Sequence, residues 1–274
     1  MIVKSNIFLF SIYLFCGFTF CNFPVALAKE YAFTPSNVKS GGMEPSLQIG
    51  DFIFVKKFDL NPERGDILTF KAGIKEDGSE RNNVQRVIGL PGDKISLWTE
   101  KSSQGDYFLL RISINGKTLP ITESSEEINQ EDYDIPVNGL HAVYETIGAK
   151  KYKLFYDTSM IPFTSPHAME KEEINLKEDE FFLLGDNRTN SADSRYTGPI
   201  SRADIRGKMT FKYFSVNWKD YTCTSEERKG NLEDTHGGKC PQSLFRRIGR
   251  AKIRWKNIGQ KGYEILQDRQ SEDL

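Results

Sequence analysis

The sequence lacks a bias toward either charge, since 37 Lys and Arg residues stand against 38 Asp and Glu residues. A nucleic-acid-binding protein normally carries a basic excess, so we exclude that class and expect no nucleic acid as a partner. Helix-period patterns are scarce and no internal repeat is visible. Aromatic and β-branched runs recur instead, with 19 Phe and 11 Tyr residues in the chain, and they favour a mostly β fold.

Cysteine is rare, with four residues in the chain, and no C-x-x-C motif is present. Cys16 and Cys21 lie in an apolar run, where they act as small apolar residues. Cys223 and Cys240 flank a polar loop and are a disulfide candidate if that loop lies in an oxidising compartment. His236 lies between them, but without an evident fourth ligand zinc is the weaker alternative. We therefore predict no metal and no cofactor.

Charged residues are absent from Ser5 to Ala28. The apolar part, Ile7 to Phe23, has about the length of a membrane span, roughly 17–25 residues. It is followed by Ala26-Leu27-Ala28, a pattern that a signal-peptide-cleaving enzyme cuts. Two interpretations remain open for residues 1–28, an uncleaved transmembrane anchor or a cleaved signal segment. Either one places residues 29–274 on the far side of the membrane.

Short β-branched and aromatic runs bounded by turn residues predict the strands. Asn115-Gly116 adds a strong hairpin signal. The predicted strands are Asp51–Lys57, Ile67–Phe70, Val84–Leu90, Lys94–Trp98, Tyr107–Ile114, Phe181–Asn187 and Lys208–Val216. The predicted domains are an N-terminal segment (1–28), a β core (29–98 with 181–216), an inserted β-rich subdomain (99–180) and a C-terminal extension (217–274).

Four segments of the β core contain distinctive motifs. In chain order they are SGGMEPSLQIGDFIFVKK (Ser40–Lys57), RGDILTF (Arg64–Phe70), QRVIGLPGDKI (Gln85–Ile95) and GDNRTNSADSRYTG (Gly185–Gly198). Together with the preceding apolar segment, they resemble the signature boxes of type I signal peptidases, the membrane-bound serine proteases that remove signal peptides. The fourth box is the longest and the most specific.

The resemblance implies a signal-peptidase-like fold of antiparallel, barrel-like sheets behind an N-terminal membrane helix. It favours the anchor over the cleaved signal for the apolar segment. It implies a location at the bacterial cytoplasmic membrane, with the bulk of the chain on the extracytoplasmic, periplasmic side. The implied partners are signal peptides or preproteins, the lipid bilayer and an active paralogue that this chain would assist.

The family uses a serine nucleophile that is activated by a buried, neutral lysine. In this sequence the nucleophile position is Gly42 and the general-base position is Gln85, so both functional groups are lost. The serine that helps to hold the oxyanion corresponds to Ser40, and the serine that orients the lysine corresponds to Ser191. Further residues near the site are Met43, Pro45, Arg86, Asp186, Asn187, Asp193 and Arg195.

Neither a glycine nor an amide can perform the family reaction, because an amide takes up no proton near neutral pH. We therefore favour an inactive homologue that binds signal peptides or other extended peptides. Two alternatives stay open, an active signal peptidase with an unorthodox site and a non-enzymatic structural or assembly protein of the envelope. Retention of the boxes for loop bracing alone is as compatible with the sequence as retention of a peptide groove.

Overall fold

The computed structural model describes residues 33–58, 60–133, 135–162, 172–217, 252–261 and 264–265. The predicted N-terminal membrane segment and the candidate disulfide of Cys223 and Cys240 lie outside the described residues. Within the described part, no helix is long and apolar enough to span a membrane.

The described residues form a mostly β structure of antiparallel sheets, as the sequence predicts. The first sheet has the strand order β1-β2-β14-β3-β4-β12-β13, and β15 pairs with β14. Its strands are β1 (Phe33–Asn37), β2 (Asp51–Lys56), β3 (Ile67–Ile74), β4 (Glu80–Gly89), β12 (Glu180–Leu184), β13 (Ile200–Ser201), β14 (Ile205–Asn217) and β15 (Lys252–Ile253).

Two four-stranded sheets are built mainly from the middle of the chain. The second sheet has the order β11-β5-β6-β7 and comprises β5 (Lys94–Lys101), β6 (Phe108–Ile114), β7 (Lys117–Thr118) and β11 (Glu172–Asn175). The third has the order β16-β10-β9-β8 and comprises β8 (Ile121–Glu123), β9 (Leu140–Ile147), β10 (Lys150–Asp157) and β16 (Glu264–Ile265). The expected core range 29–98 thus ends within β5, which belongs to the second sheet.

Local chemistry explains the hairpins that connect these strands. Asn115 and Gly116 have φ values of 51° and 83°, as the two central residues of a tight hairpin turn require. The charged loop predicted between β3 and β4 is shorter than expected, because the strands continue to Ile74 and resume at Glu80. Only residues 75–79 connect them.

The largest apolar core lies between the second and third sheets and includes Leu97, Leu110, Val143 and Leu154. A smaller core lies beneath the loop that follows β1. It contains Val38, Met43, Leu47, Ile53, Val55, Ile67 and Met209. This smaller core anchors residues 40–43 against the first sheet. The resemblance predicts the nucleophile position, Gly42, within this segment.

Candidate functional site

The first box leaves β1 and makes a single 3-10 turn at Gly41–Met43. Met43 is 2% exposed and anchors the turn in the apolar core below it. Ser40 precedes the turn, is exposed, and makes no side-chain capping hydrogen bond. The burial of Met43 therefore anchors the turn that contains Gly42.

The fourth box packs directly against this turn. The backbone N–H of Asn187 donates to the carbonyl oxygen of Gly42 at 3.1 Å. A Cβ atom added at Gly185 would lie 2.1 Å from Ser191 Oγ and 2.4 Å from the Gly42 carbonyl oxygen. Because no side chain fits in that space, Gly185 permits the close approach of the two boxes.

Gln85 lies on β4, a third segment, and also contacts the fourth box. Its side-chain Nε2 donates to the carbonyl oxygen of Ala192 at 2.8 Å, next to Ser191. The residue is 2% exposed, and its Oε1 has no hydrogen-bond partner within the described part of the chain. Gly42, Gln85 and Ser191 are thus brought together from three separate segments.

Gly42 leaves room for a larger residue. A Cβ atom added there would meet Ser191 Oγ at 3.4 Å and the Asn190 carbonyl oxygen at 3.6 Å, which are ordinary contacts. The backbone at Gly42 does not have the positive φ that restricts a position to glycine. Its glycine is therefore not dictated by local geometry, in contrast to Gly185.

Buried ion pairs hold the boxes to each other. Arg86 is fully buried and donates through Nε to Asp186 at 2.8 Å and through Nη1 to the Gly65 carbonyl oxygen at 2.8 Å. Asp193 caps the short helix α1 (Ser194–Thr197) and binds the Arg195 guanidinium at 2.7 and 2.6 Å. These four side chains brace the loops of the site.

A cleft of about 670 Å³ leads along the first sheet to Ser40. We call it the β1–β4 groove, because its walls are formed mainly by β1, with Thr34, Pro35, Ser36 and Asn37, and by the first half of β4, with Arg81, Asn82, Asn83 and Val84. Ile53 and Val55 of β2 form part of its floor. Met43, Pro45, Phe52 and Phe54 are not among the residues that line it.

One buried lysine was missed in the sequence. Lys212 of β14 is 1% exposed, and its Nζ donates to the Ser46 carbonyl oxygen at 3.0 Å and lies 3.4 Å from Asp51. Burial lowers the pKa of Lys212, and the nearby carboxylate of Asp51 opposes that shift only in part. Lys212 does not line the β1–β4 groove, so its position is structural. The alternation of apolar and polar residues along β14 does not predict a buried side chain at position 212.

A second missed pair is Arg188 with Glu145. Arg188 lies in the fourth box and donates from Nη1 and Nη2 to the two carboxylate oxygens of Glu145, both at 2.9 Å. Both side chains are almost fully buried. Burial disfavours the charged guanidinium, but the Glu145 charge outweighs it and raises the pKa of Arg188. The two residues are 43 positions apart, and no local pattern connects them.

Comparison with known proteins assigns the family. The family model described as "Signal peptidase, peptidase S26" matches residues 9–214. Signal peptidase I of Buchnera aphidicola subsp. Schizaphis graminum (strain Sg) is 30% identical over 241 residues, which cover 72% of this chain and 73% of that protein. Signal peptidase I of Aquifex aeolicus (strain VF5) is 27% identical and is covered to 79% of its length, with 70% of this chain aligned. The chain therefore belongs to the signal peptidase I family.

Among solved structures, a signal peptidase I from Enterococcus faecalis V583 is 21% identical, with a TM-score of 0.27. The match covers 55% of this chain and 98% of that one.

Proposed function

We propose that this chain is a signal peptidase I family protein that has lost the serine–lysine reaction and binds signal peptides or other extended peptides at the extracytoplasmic face of the membrane. The observation that carries the proposal is the pairing of Gly42 and Gln85. Both lie beside Ser191, at positions where the family motif has its nucleophile and its base.

The chemistry of the two residues supports the loss of the reaction. Gly42 offers no nucleophile, and the Gln85 amide does not accept a proton near neutral pH. In a serine protease of another family, removal of either nucleophile or base lowers turnover by about 10⁶, and removal of both costs little more. A chain that lacks both groups is expected to have negligible hydrolysis by this route.

Ser46 and Lys212 do not provide a substitute of the right geometry. The Ser46 hydroxyl is the acceptor of a hydrogen bond from Arg86 Nη2 at 3.1 Å. The Lys212 ammonium is directed toward Asp51 and the Ser46 carbonyl oxygen. Neither residue lines the β1–β4 groove, and attack on a peptide bond requires reacting atoms within about 3–3.5 Å of each other.

Unpaired strand edges support peptide binding in the groove. In the described part of the chain, β1 is an edge strand that pairs only with β2. On the opposite wall, β12 pairs with β4 only from Arg86 onward, so the segment from Glu80 to Gln85 has β3 as its one partner there. An extended peptide placed between two such edges satisfies its own backbone groups and theirs.

The experiment uses the full-length protein in nonionic detergent with a fluorescently labelled signal peptide and, in parallel, a preprotein with an Ala-x-Ala site. We expect saturable binding of the peptide and no cleavage above buffer, as judged by fluorescence anisotropy and mass spectrometry. Ser36→Arg, which puts a long side chain on the groove wall, should weaken binding. Thr122→Arg, at an exposed position of β8 in the third sheet, is the control for added charge.

The outcomes separate the alternatives. Cleavage of the preprotein at Ala-x-Ala by the unaltered protein would contradict the loss of activity and favour an unorthodox active site. Absence of any peptide binding would contradict the groove function and favour a structural or assembly protein of the envelope.

A further inference from the structure

The β1–β4 groove has a strongly one-sided charge, although the chain as a whole is nearly neutral. Its single lining carboxylate is Glu80, whereas its lining cations are Lys39, Lys57, Lys75, Arg81 and Arg206. A cleft lined by one sign of charge concentrates ligands of the opposite sign.

The one carboxylate is already neutralised by a neighbour. Arg206 donates to Glu80 from Nε at 2.9 Å and from Nη2 at 2.8 Å. These bonds lower the pKa of Glu80, so that it remains ionised and paired. The remaining groove cations are therefore not compensated by any carboxylate that lines the groove. The pKa of Asp77 is lowered first by the hydrogen bond from the Ser79 side chain and also by the nearby charge of Lys75. Lys75 is therefore partly compensated by Asp77, and we consider Lys57 and Arg81.

These two cations lie at the end of the groove that is distant from Gly42. Lys57 follows Lys56, whose strand partner is Phe33 at the start of β1. Arg81 lies four residues before Gln85 on β4, which corresponds to about 13 Å along a strand at roughly 3.3 Å per residue. We call Lys57 and Arg81 the distal cations. Both side chains are exposed to solvent and accessible to a ligand in the groove.

We propose that the β1–β4 groove selects extended peptides that carry acidic side chains about four residues from the residue lying at Gly42. The proposal rests on the proposed peptide-binding function and specifies which peptides that groove takes. An extended ligand rises by the same distance per residue as the strands beside it, so a carboxylate four residues from the ligand residue beside Gln85 reaches the level of Arg81, at the end of the groove that Lys57 also lines. Charge complementarity of this kind sets specificity more than raw affinity.

The test compares peptides that differ only in charge. A neutral extended peptide contains Ala-x-Ala, and its variants carry two glutamates or two lysines about four residues from that motif, on either side in separate peptides. Binding to the full-length protein in nonionic detergent is measured by fluorescence anisotropy at low and at high salt.

We expect one glutamate peptide to bind about fivefold tighter than the neutral peptide and the matching lysine peptide to bind more weakly, which is the order of magnitude for two exposed ion pairs. Near 1 M salt, where the Debye length is about 3 Å, the difference should largely disappear. A peptide whose glutamates lie next to Ala-x-Ala should likewise show no difference in affinity from the neutral peptide.

Charge reversal locates the effect. Lys57→Glu and Arg81→Glu should abolish the preference for the glutamate peptide over the neutral peptide. Lys101→Glu is the matched control, because Lys101 is an exposed lysine of β5 in the second sheet and makes the same change in net charge. It should leave the preference unchanged.

Three results would overturn the inference. Equal binding of glutamate and neutral peptides would reject the acidic preference and leave peptide binding intact. Binding of no peptide would reject both this inference and the function on which it rests. If Lys57→Glu and Arg81→Glu instead lowered binding to vesicles rich in anionic phospholipid and left all peptides unaffected, the distal cations would serve a membrane surface.

Discussion

At the scale of single residues, Gly42 and Gly185 belong to the same site, but the surroundings require a glycine only at position 185. Gly185 is required by contact, because an added Cβ would overlap Ser191 Oγ and the Gly42 backbone. Gly42 has room for a side chain and meets only ordinary contacts. The structure therefore has space for the Cβ atom of a larger residue at position 42.

The double substitution Gly42→Ser, Gln85→Lys should produce cleavage of a preprotein at Ala-x-Ala. The lysine would replace a buried amide beside Ser191 and Ala192, and burial lowers the pKa of a lysine toward the range of a general base. Because nucleophile and base act as a unit, we expect the double variant to exceed either single variant by about 10³ or more. Product formation is measured by gel and mass spectrometry.

Gly185→Ala in the same double-variant background is the control for site geometry. It should remove the gained activity, because its Cβ displaces Ser191 or the Gly42 carbonyl. A double variant that folds, binds signal peptide and still does not cleave would contradict the view that only the two side chains are missing.

At the scale of elements, the turns of the second and third boxes are joined by one carboxylate. Asp93 accepts hydrogen bonds from Arg64 Nη2 at 2.8 Å, from the Leu90 backbone N–H at 2.6 Å and from Asn115 Nδ2 at 2.9 Å. Burial by itself raises the pKa of Asp93, but these donors outweigh it and the net shift is downward. The RGD sequence at Arg64 to Asp66 is thus part of a turn contact.

Stability should fall in acid through Asp93. A carboxyl group whose folded-state pKa lies below its ordinary value of 3.8 contributes stability at higher pH, and this contribution is lost as pH falls through the folded-state pKa. Asp93→Asn should lower the free energy of unfolding by about 1–3 kcal/mol at pH 6. The difference from the unaltered protein should shrink below pH 3.8, as measured by urea unfolding at several pH values.

Asp77→Asn is a control for that experiment, because Asp77 is an exposed loop carboxylate whose pKa is lowered mainly by the Ser79 side chain. It should change stability little at either pH. An Asp93→Asn effect that stays constant between pH 6 and pH 3 would contradict the role assigned to its charge.

In strand β14, simple alternation along the chain does not predict which side chains are buried. Strict alternation from the buried Met209 would place Phe211 and Tyr213 inside and Lys212 outside. The pairing of β14 with β2 shifts register between Met209 and Phe211 and again between Lys212 and Phe214. As a result Lys212 is buried and Phe211 is exposed, because each bulge inserts a residue and reverses the faces that follow.

At the scale of the whole molecule, the fourth box is connected to the third sheet as well as to the first. The backbone N–H of Phe155 in β10 donates to the Asp186 carbonyl, and the N–H of Arg188 donates to the Phe155 carbonyl, at 3.0 and 2.9 Å. The buried pair of Arg188 and Glu145 adds a second connection. The third sheet therefore supports the loop that carries Ser191.

Glu145→Gln should destabilise the fold by about 3–5 kcal/mol, because it leaves the buried Arg188 without its counter-charge. Replacing both partners, Glu145→Leu with Arg188→Met, should recover most of that loss, because neither charge then remains buried. Urea unfolding of the single and double variants measures the coupling between them. Equal losses for Glu145→Gln and for the double variant would contradict this explanation.

The C-terminal residues that the structure describes form hydrogen bonds with the first box and with β14. Arg254 donates to Ser215 Oγ at 2.9 Å and to the Ile49 carbonyl, and it lies 3.5 Å from Asp51. Asn257 Nδ2 donates to Gln48 Oε1 at 3.2 Å. A segment predicted only as a C-terminal extension thus holds the middle of the first box against β14.

The sequence by itself determined the family and most strands, because the boxes are contiguous and are read residue by residue, and the strands follow local patterns of apolar and turn residues. The same locality led, without coordinates, to the hypothesis that Gly42 and Gln85 stand where the family has its nucleophile and its base.

The tertiary structure alone decided what surrounds those positions. The buried lysine, the Arg188–Glu145 pair and the basic groove each depend on register shifts or on residues distant in the chain. The space at Gly42 likewise depends on Ser191 and Asn190 of another loop. Such features follow from how segments pack against each other, and a linear pattern contains no information on which residues will meet.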